Sequence, residues 1–365
     1  GTPAAAVVFG AALGATTLSW LMSRRGRRPG LVAGYGLGVV GAALAIIGIV
    51  ATSLPILLLG SLLIGFGNSA NQLSRYAAAD LYPPDRRATA LGVVVWAATV
   101  GAVVGPNLVG PSGDVAMAIG LPHHAGPYLV PTVLVALAAV LSFVRLRPDP
   151  YDLADHHSRS ADDLGTASPL AEIIRRPQVL VSIVALVIGQ FVMVLIMTMT
   201  PLHMTAHGHD LGAVGLVLSA HTFGMYALSP ISGRLTDRFG SAAVIYGGMA
   251  VLAVSGVLAA IAPAEDDRLL LLALFLLGWG WNLGYVAGSA LLTSGVSIVE
   301  RTRVQGIADG LIWSTAALAS LGSGVLVASA GYATLGVLGA ILVAIPAWIL
   351  TVRRGALDRA AQTAG

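Results

Sequence analysis

The chain contains itself twice. Ser19-Trp20-Leu21-Met22-Ser23-Arg24-Arg25-Gly26 aligns with Gly233-Arg234-Leu235-Thr236-Asp237-Arg238-Phe239-Gly240, and the final glycines stand 214 residues apart. Gly65 and Gly67 recur as Gly278 and Gly280, Arg86 as Arg301 and Trp96 as Trp313, at offsets of 213, 215 and 217. Each landmark lies within or beside an apolar run long enough to cross a bilayer. Such a repeat restricts the fold to two tandem, parallel bundles of helices in a membrane.

Composition excludes a dissolved domain of this size. Hydrophobic residues make up 56 % of the 365 and charged residues only 10 %, where a soluble domain carries about 25 % charged residues. Eleven apolar stretches suffice for a hydrocarbon core that takes about 20 helical residues: 4–22, 31–52, 54–74, 88–110, 127–145, 179–200, 211–233, 241–262, 269–292, 304–328 and 332–352. Their continuity fits helices, since barrel strands are shorter and alternate in polarity. The fold class expected is an all-α polytopic membrane protein.

Arginine sets the expected orientation, because it supplies all 20 basic residues. Threading the eleven spans leaves 19 arginines on one side and Arg268 alone on the other. The arginine-rich side, with the carboxyl terminus, is expected to be cytoplasmic, and Asp114, Asp210, Glu265, Asp266 and Asp267 external. The net charge of +3 thus reflects membrane topology and implies no nucleic-acid partner.

An odd span count places residue 1 outside, with no signal peptide before it. The repeated loop also follows the first span in one half and the second span in the other. A further helix upstream of Gly1 is therefore expected.

Residues 148–178 read as a polar cytoplasmic linker between an N-terminal bundle over 1–147 and a C-terminal bundle over 179–365. Within it, 168–176 suggests a short surface helix with Leu170, Ile173 and Ile174 facing lipid. The absence of cysteine excludes disulfides, thiol catalysis and cysteine-bound metal.

Some apparent motifs carry little. Gly36, Gly38 and Gly41 match a dinucleotide fingerprint but lie inside an apolar span, with no strand before them. Met193, Met197, Met199, His203, Met204, His207 and His209 offer soft metal ligands, yet read better as packing and an exposed external loop. No metal site and no cofactor is expected, and no constellation of catalytic carboxylates or nucleophiles is visible.

Polar residues inside the spans are the better candidates, because lipid makes them costly unless they face a cavity or a partner. Asn68, Asn71, Gln72 and Arg75 form a stripe at helical spacing on the third span. Gln190 and His221 lie in the first two spans of the second half, and Trp281, Asn282 and Tyr285 in the span corresponding to the stripe. These nine are the expected lining of a substrate cavity. Asp309 is the one acid well inside a predicted span.

The repeated loop resembles the signature of the major facilitator superfamily, G-x-L-x-D-R-x-G-R. The second copy retains Gly233, Leu235, Asp237, Arg238 and Gly240; the first keeps Leu21, Arg24, Gly26 and Arg27 but has Ser19 for glycine and Ser23 for the acid. Gly101, Gly105, Pro106 and Gly110 match a second signature, associated in that superfamily with antiporters that export compounds. Glycines on one face let another backbone approach, and the proline permits a bend. One family feature is absent: the arginine four residues before Gly65 is Ser61 here.

The resemblance implies two pseudo-symmetric six-helix bundles, eleven of whose helices are present, working by alternating access as a monomer in the cell membrane. It implies proton-coupled export of small amphipathic molecules, with no enzymatic step. It also brings the start of the helix carrying Asp309 beside the first loop, so Asp309 is expected to pair with Arg24 or Arg27 and to replace the acid lost at Ser23. Uptake of a nutrient is the alternative within transport. A polytopic enzyme or a receptor is the alternative outside it.

Overall fold

The structure, a computed structural model, describes residues 2–150, 152–153, 168–263, 267–294 and 296–362, less the side chains of 106, 107, 211, 298 and 358–362. Most of the linker, with His156, His157 and Arg159, lies outside the described residues, as do Glu265 and Asp266.

In the first half the helices are α1 (Thr2–Arg25), α2 (Arg27–Val50), α3 (Leu54–Asp80), α4 (Arg87–Ala118) and α5 (Gly126–Arg145). The short α6 (Leu170–Arg175) precedes α7 (Pro177–Ala206), α8 (Leu211–Tyr226), α9 (Ser229–Phe239), α10 (Ser241–Ile261) and α11 (Asp267–Leu292). The last three are α12 (Ile298–Ala330), α13 (Ala333–Leu342) and α14 (Ala344–Gln362). No strand occurs among the described residues, and eleven stretches among them are long and apolar enough to span a membrane. Helix is what such sequence must form in lipid, where each backbone N–H and C=O needs a partner within its own segment.

Several helices overrun the spans read from hydropathy, and two of these extensions bear on the site. The third continues six residues past 74 to Asp80, and α12 begins at Ile298, six before 304. Both extensions carry charge: Arg75 and Asp80 on α3, Glu300, Arg301 and Arg303 on α12.

Contacts divide the chain into two compact units. The first comprises Gly1–Leu81, Val100–Leu170 and Val296–Ser314; the second comprises Tyr82–Thr99, Ala171–Gly295 and Thr315–Gly365. Each unit thus takes in one segment from the other sequence repeat. The two segments correspond, beginning 214 residues apart at Tyr82 and Val296 and ending 215 apart at Thr99 and Ser314.

Within each unit the same close approach recurs. A Cβ at Gly65 of α3 would strike the Val7 carbonyl of α1, and a Cβ at Gly278 of α11 would strike the His221 carbonyl of α8. Small residues let the backbones meet, and dispersion between them holds helices together where no water drives association. The repeated loops share a turn too. Gly26 at φ 91° and Gly240 at φ 84° precede α2 and α10 in a conformation that side chains disfavour. At the first, the Asp149 carboxylate accepts from the backbone N–H of Arg27 and Arg28, each at 2.9 Å, and so caps α2.

One local expectation is corrected. Helix α6 forms, but Ile173 is fully buried instead of facing lipid. An apolar side chain on a short amphipathic turn is covered equally well by protein, and here protein covers it.

Candidate functional site

The first unit holds a buried cluster of charge built from α1–α2, α3 and α12. Arg75 reaches Asp309 with a fork, Nη2 to Oδ1 at 2.6 Å and Nη1 to Oδ2 at 3.2 Å. The same guanidinium lies over the Tyr76 ring at 4.1 Å and donates to the Tyr76 hydroxyl at 2.8 Å. Five residues along α3, Asp80 accepts from Arg27 Nε at 2.8 Å and Arg301 Nη1 at 3.1 Å. Arg27 Nη2 donates to Gln305 at 2.8 Å.

Helices α3 and α12 run antiparallel at this contact, since 75 meets 309 and 80 meets 301. The charges are crossed: α3 contributes a base and then an acid, and α12 the matching base and acid in the reverse direction. Every charged side chain in the cluster is at most 7 % exposed. Burying charge this completely is tolerated only with partners and fork geometry, and removing one partner leaves the other uncompensated.

This corrects the expected pairing of Asp309 with Arg24 or Arg27. Arg24 lies on the exposed face of α1 over the Trp20 ring, 4.5 Å from its centroid, and Arg27 is taken up by Asp80 and Gln305. The loss of an acid at Ser23 is not met by Asp309 either. Ser23 Oγ donates to its own helix at the Trp20 carbonyl, 2.8 Å away. The start of α12 is instead capped locally: Glu300 accepts from the Ser297 N–H at 3.3 Å, and the Glu300 N–H donates to Ser297 Oγ at 3.4 Å. Glu300 also accepts the backbone N–H of Ser168 at 3.2 Å.

In the second unit the acid of the loop signature does cap a helix. Asp237 accepts from the Ala88 N–H at 3.1 Å, the Thr89 N–H at 2.9 Å and the Thr89 hydroxyl at 2.6 Å, at the first turn of α4. An anion there satisfies orphan donors and the positive end of the helix dipole. Gly233 allows the approach, since a Cβ on it would fall 2.8 Å from Thr89 Cα. Arg238 rests over the Phe239 ring at 5.3 Å and Gly240 makes the turn. The crossing in the first unit keeps the geometry with the residues changed: a Cβ on Gly306 would collide with Ser19, the counterpart of Gly233.

The polar residues of the second unit separate into two groups. Asn282 is fully buried, donating to the Met225 carbonyl and Ser229 Oγ, each at 2.7 Å, and accepting from Ser232 at 2.6 Å. It fastens α11 across the break between α8 and α9. His221 is 2 % exposed with Nδ1 2.9 Å from the Leu274 carbonyl. Neither lines an open cavity in this conformation, contrary to expectation: Asn282 spends its polar atoms on protein partners, and His221 is buried with its Nε2 unpartnered. The second group comprises Gln190 of α7 with Trp281 and Tyr285 of α11. Trp281 Nε1 donates to Gln190 Oε1 at 2.8 Å, and the two rings stack at 4.5 Å with 19° between their planes.

Asn68 and Asn71 line a cavity of about 870 Å³ in the first unit, together with Tyr35, Gly38, Ser61 and Tyr128. Gln72 lends its backbone carbonyl to Arg75 Nη1. In the second unit the corresponding place is filled by α7. A Cβ on Gly189 there would lie in van der Waals range of Met249 and Leu252, which stand 214 residues beyond Tyr35 and Gly38, and Trp281, which bonds Gln190, stands 213 beyond Asn68.

The glycine signature behaves differently from its expectation. Helix α4 runs unbroken through it, and a Cβ at Gly101, Gly105 or Gly110 would meet nothing within 4 Å. The side chain of Pro106 lies outside the described residues. Among the described residues no backbone closes on these glycines in this conformation, so they do not act here as a packing surface.

With these features in place, comparison with known proteins decides the family. The model of the Major Facilitator Superfamily matches residues 1–214 and 196–365. The chain belongs to this superfamily. Among relatives of this facilitator, the uncharacterized MFS-type transporter YdeG of Bacillus subtilis is 40 % identical over 345 residues, 94 % of this chain and 80 % of that one. The riboflavin transporter RfnT of Brucella anthropi is 33 % identical over 331 residues, 90 % of this chain and 79 % of that one. The E. coli fucose:proton symporter FucP shares the fold at TM-score 0.76 and 17 % identity, over 97 % of this facilitator and 90 % of that chain. The human organic anion transporter MFSD10 does so at TM-score 0.72 and 17 % identity, over 96 % and 82 %. The chain is thus a multi-pass membrane transporter with a major facilitator fold.

Sequence reasoning missed Asp80, Arg301, Gln305, Glu300 and Asp149. The signal for the first two was present as Arg75 and Asp80 five residues apart beyond an apolar run, with Arg301 and Asp309 on a second helix in opposite order.

Proposed function

We propose that this facilitator is a proton-coupled secondary transporter of the cytoplasmic membrane that exports small amphipathic molecules by alternating access. Bundles over 1–147 and 179–365 move about the linker 148–178, with the arginine-rich ends and the carboxyl terminus in the cytoplasm, and the chain works as a monomer. The observation that carries this reading is the buried crossed cluster of Arg75, Asp80, Arg301 and Asp309. Such a cluster holds α12 against α3 while every charge is paired, and it opens when pairing is lost. A proton taken from water onto Asp309 cancels its charge, leaves Arg75 with one hydrogen-bonding partner fewer, and so biases the equilibrium between conformers.

The amphipathic substrate class is supported by the relative named a riboflavin transporter, since riboflavin joins a planar ring to a polar chain. Export rests on the resemblance of the Gly101–Gly110 segment to antiporter sequences. A Cβ at Gly101, Gly105 or Gly110 would meet nothing within 4 Å, so packing supplies no argument for direction and uptake is the alternative reading.

The chain has no cysteine, so single cysteines report without background. A cysteine at Ser23 and another at Asp210 are labelled from each side of vesicles as pH and candidate substrates are varied. Reciprocal changes in labelling of the two sites are expected. Labelling that never changes would sink alternating access, and proton flux in the direction of substrate movement would replace export by uptake.

A further inference from the structure

We propose that His203 and His207, at the end of α7, form a binding site for a divalent metal cation of the copper, nickel and zinc group, with water completing the coordination. The site lies wholly within the second unit and is independent of the substrate and direction of transport.

Helix geometry brings the pair together. Residues four apart share one helix face, the spacing at which two histidines of a single helix grip a zinc ion. The two rings stand 4.4 Å apart between centres and are tilted by 54°. A metal about 2.0–2.1 Å from one nitrogen of each ring holds the ring centres about 5 Å apart in tetrahedral coordination. A small side-chain rotation therefore seats the ion.

The protein orients both rings. His207 Nδ1 lies 2.8 Å from the His203 carbonyl oxygen. A carbonyl can only accept, so Nδ1 carries the proton and Nε2 keeps its lone pair for a ligand bond. Metal-bound histidines are fixed in this same way, by donating the second nitrogen to a carbonyl or carboxylate. His203 lies flat on the Tyr332 ring, 4.2 Å away and 9° from parallel, and the Tyr332 hydroxyl is 2.8 Å from Thr200 Oγ1. Among the described residues the ring nitrogens of His203 make no hydrogen bond, so they stay available.

The helix end keeps the pair accessible. Gly208 turns the chain at φ 84°, the Gly208 N–H donates to the Thr205 carbonyl at 3.2 Å and the His209 N–H to the Met204 carbonyl at 3.1 Å. This closure stops α7 at His207, whose side chain is exposed, while His203 is half-buried.

The imidazoles are what remains of the soft ligands noted in the sequence, since Met193 and Met204 are buried in packing. No group of three or more His, Asp or Glu converges among the described residues, which makes this a two-histidine site. Two imidazoles prefer copper over nickel and zinc. Magnesium and calcium take oxygen ligands instead.

The test titrates the purified chain, with any affinity tag removed, in lipid nanodiscs with Cu²⁺, Ni²⁺, Zn²⁺ and Mg²⁺ by calorimetry. Saturable binding is expected for Cu²⁺, weaker binding for Ni²⁺ and Zn²⁺, and none for Mg²⁺. His207→Ala should weaken copper binding about 100-fold, because the second imidazole binds intramolecularly. His203→Phe should do the same, since it keeps a flat ring on Tyr332 without a ligand nitrogen. Thermal unfolding without metal checks that both variants fold, and the electron paramagnetic resonance of bound copper should show two imidazole nitrogens. His123→Ala, which breaks the edge-on pair of His123 with His124, should leave binding unchanged. Absence of saturable copper binding in the wild type would overturn the site. So would binding that survives His207→Ala and is lost in His123→Ala.

Discussion

Arg75 and Asp309 form a forked ion pair, 2.6 Å at its shorter arm, with the two side chains 1 % and 4 % exposed. Their positions, 234 residues apart in sequence, make this pair a direct link between the third and twelfth helices. Asp309→Asn should remove the pH dependence of transport, read as proton-driven flux across a pH series. Alone it takes the Asp309 charge away from a buried guanidinium, a loss of about 3–5 kcal/mol. The double variant Arg75→Leu with Asp309→Leu should recover thermal stability and still fail to couple to protons. Normal coupling in Asp309→Asn would exclude Asp309 as the proton carrier.

Asp80 serves two arginines, and that asymmetry is measurable. Asp80→Ala takes an ion-pair partner from both Arg27 and Arg301, so it should destabilise more than either Arg27→Ala or Arg301→Ala. Thermal unfolding of the detergent-solubilised variants gives the ranking. Three equal losses would mean that the cluster is held chiefly by Gln305 and the local backbone.

The two loop signatures should respond unequally to loss of their polar residue. Asp237→Ala removes three hydrogen bonds from the first turn of α4 and should cost about 1–2 kcal/mol, the upper range for a helix cap. Ser23→Ala should stay within about 0.5 kcal/mol, as surface changes do, because the Ser297–Glu300 box already caps α12.

Glycines of the two kinds should also diverge. Gly306→Leu inserts a side chain into the Ser19 side chain and the Ala15 carbonyl, so folded yield should fall sharply. Gly105→Leu meets open space and should leave thermal stability unchanged. If Gly105→Leu nevertheless halts transport, the collision occurs in another conformer of the cycle.

Much of the fold was legible because its determinants are long and repeated. Apolar runs gave the helices, and Gly26 and Gly240 marked equivalent turns through their common offset. The pairing of Trp281 with Gln190 joined two residues already conspicuous as polar groups in apolar runs. What escaped lies where hydropathy stops reporting. Asp80 and Arg301 sit on helical turns beyond the apolar runs, so they read as loop charges, although each is buried against the other. The partner of Asp309 was misassigned for a related reason: a loop signature names Arg24 and Arg27, but the helix face that meets Asp309 is set by three-dimensional register, which placed Arg75 there. The glycines at 101, 105 and 110 show the converse, a recognisable pattern whose contact is absent from this conformation.

The reciprocal exchange of Tyr82–Thr99 and Val296–Ser314 has a consequence for how the polypeptide assembles. A ribosome finishes the first 170 residues before the segment that completes their unit exists, and that unit must wait for residues more than 120 positions downstream. Two fragments cut within the linker should therefore be protease-sensitive when made singly and resistant when made together. Resistance on co-production alone would mean that each half completes the other's unit, so that the two mature together.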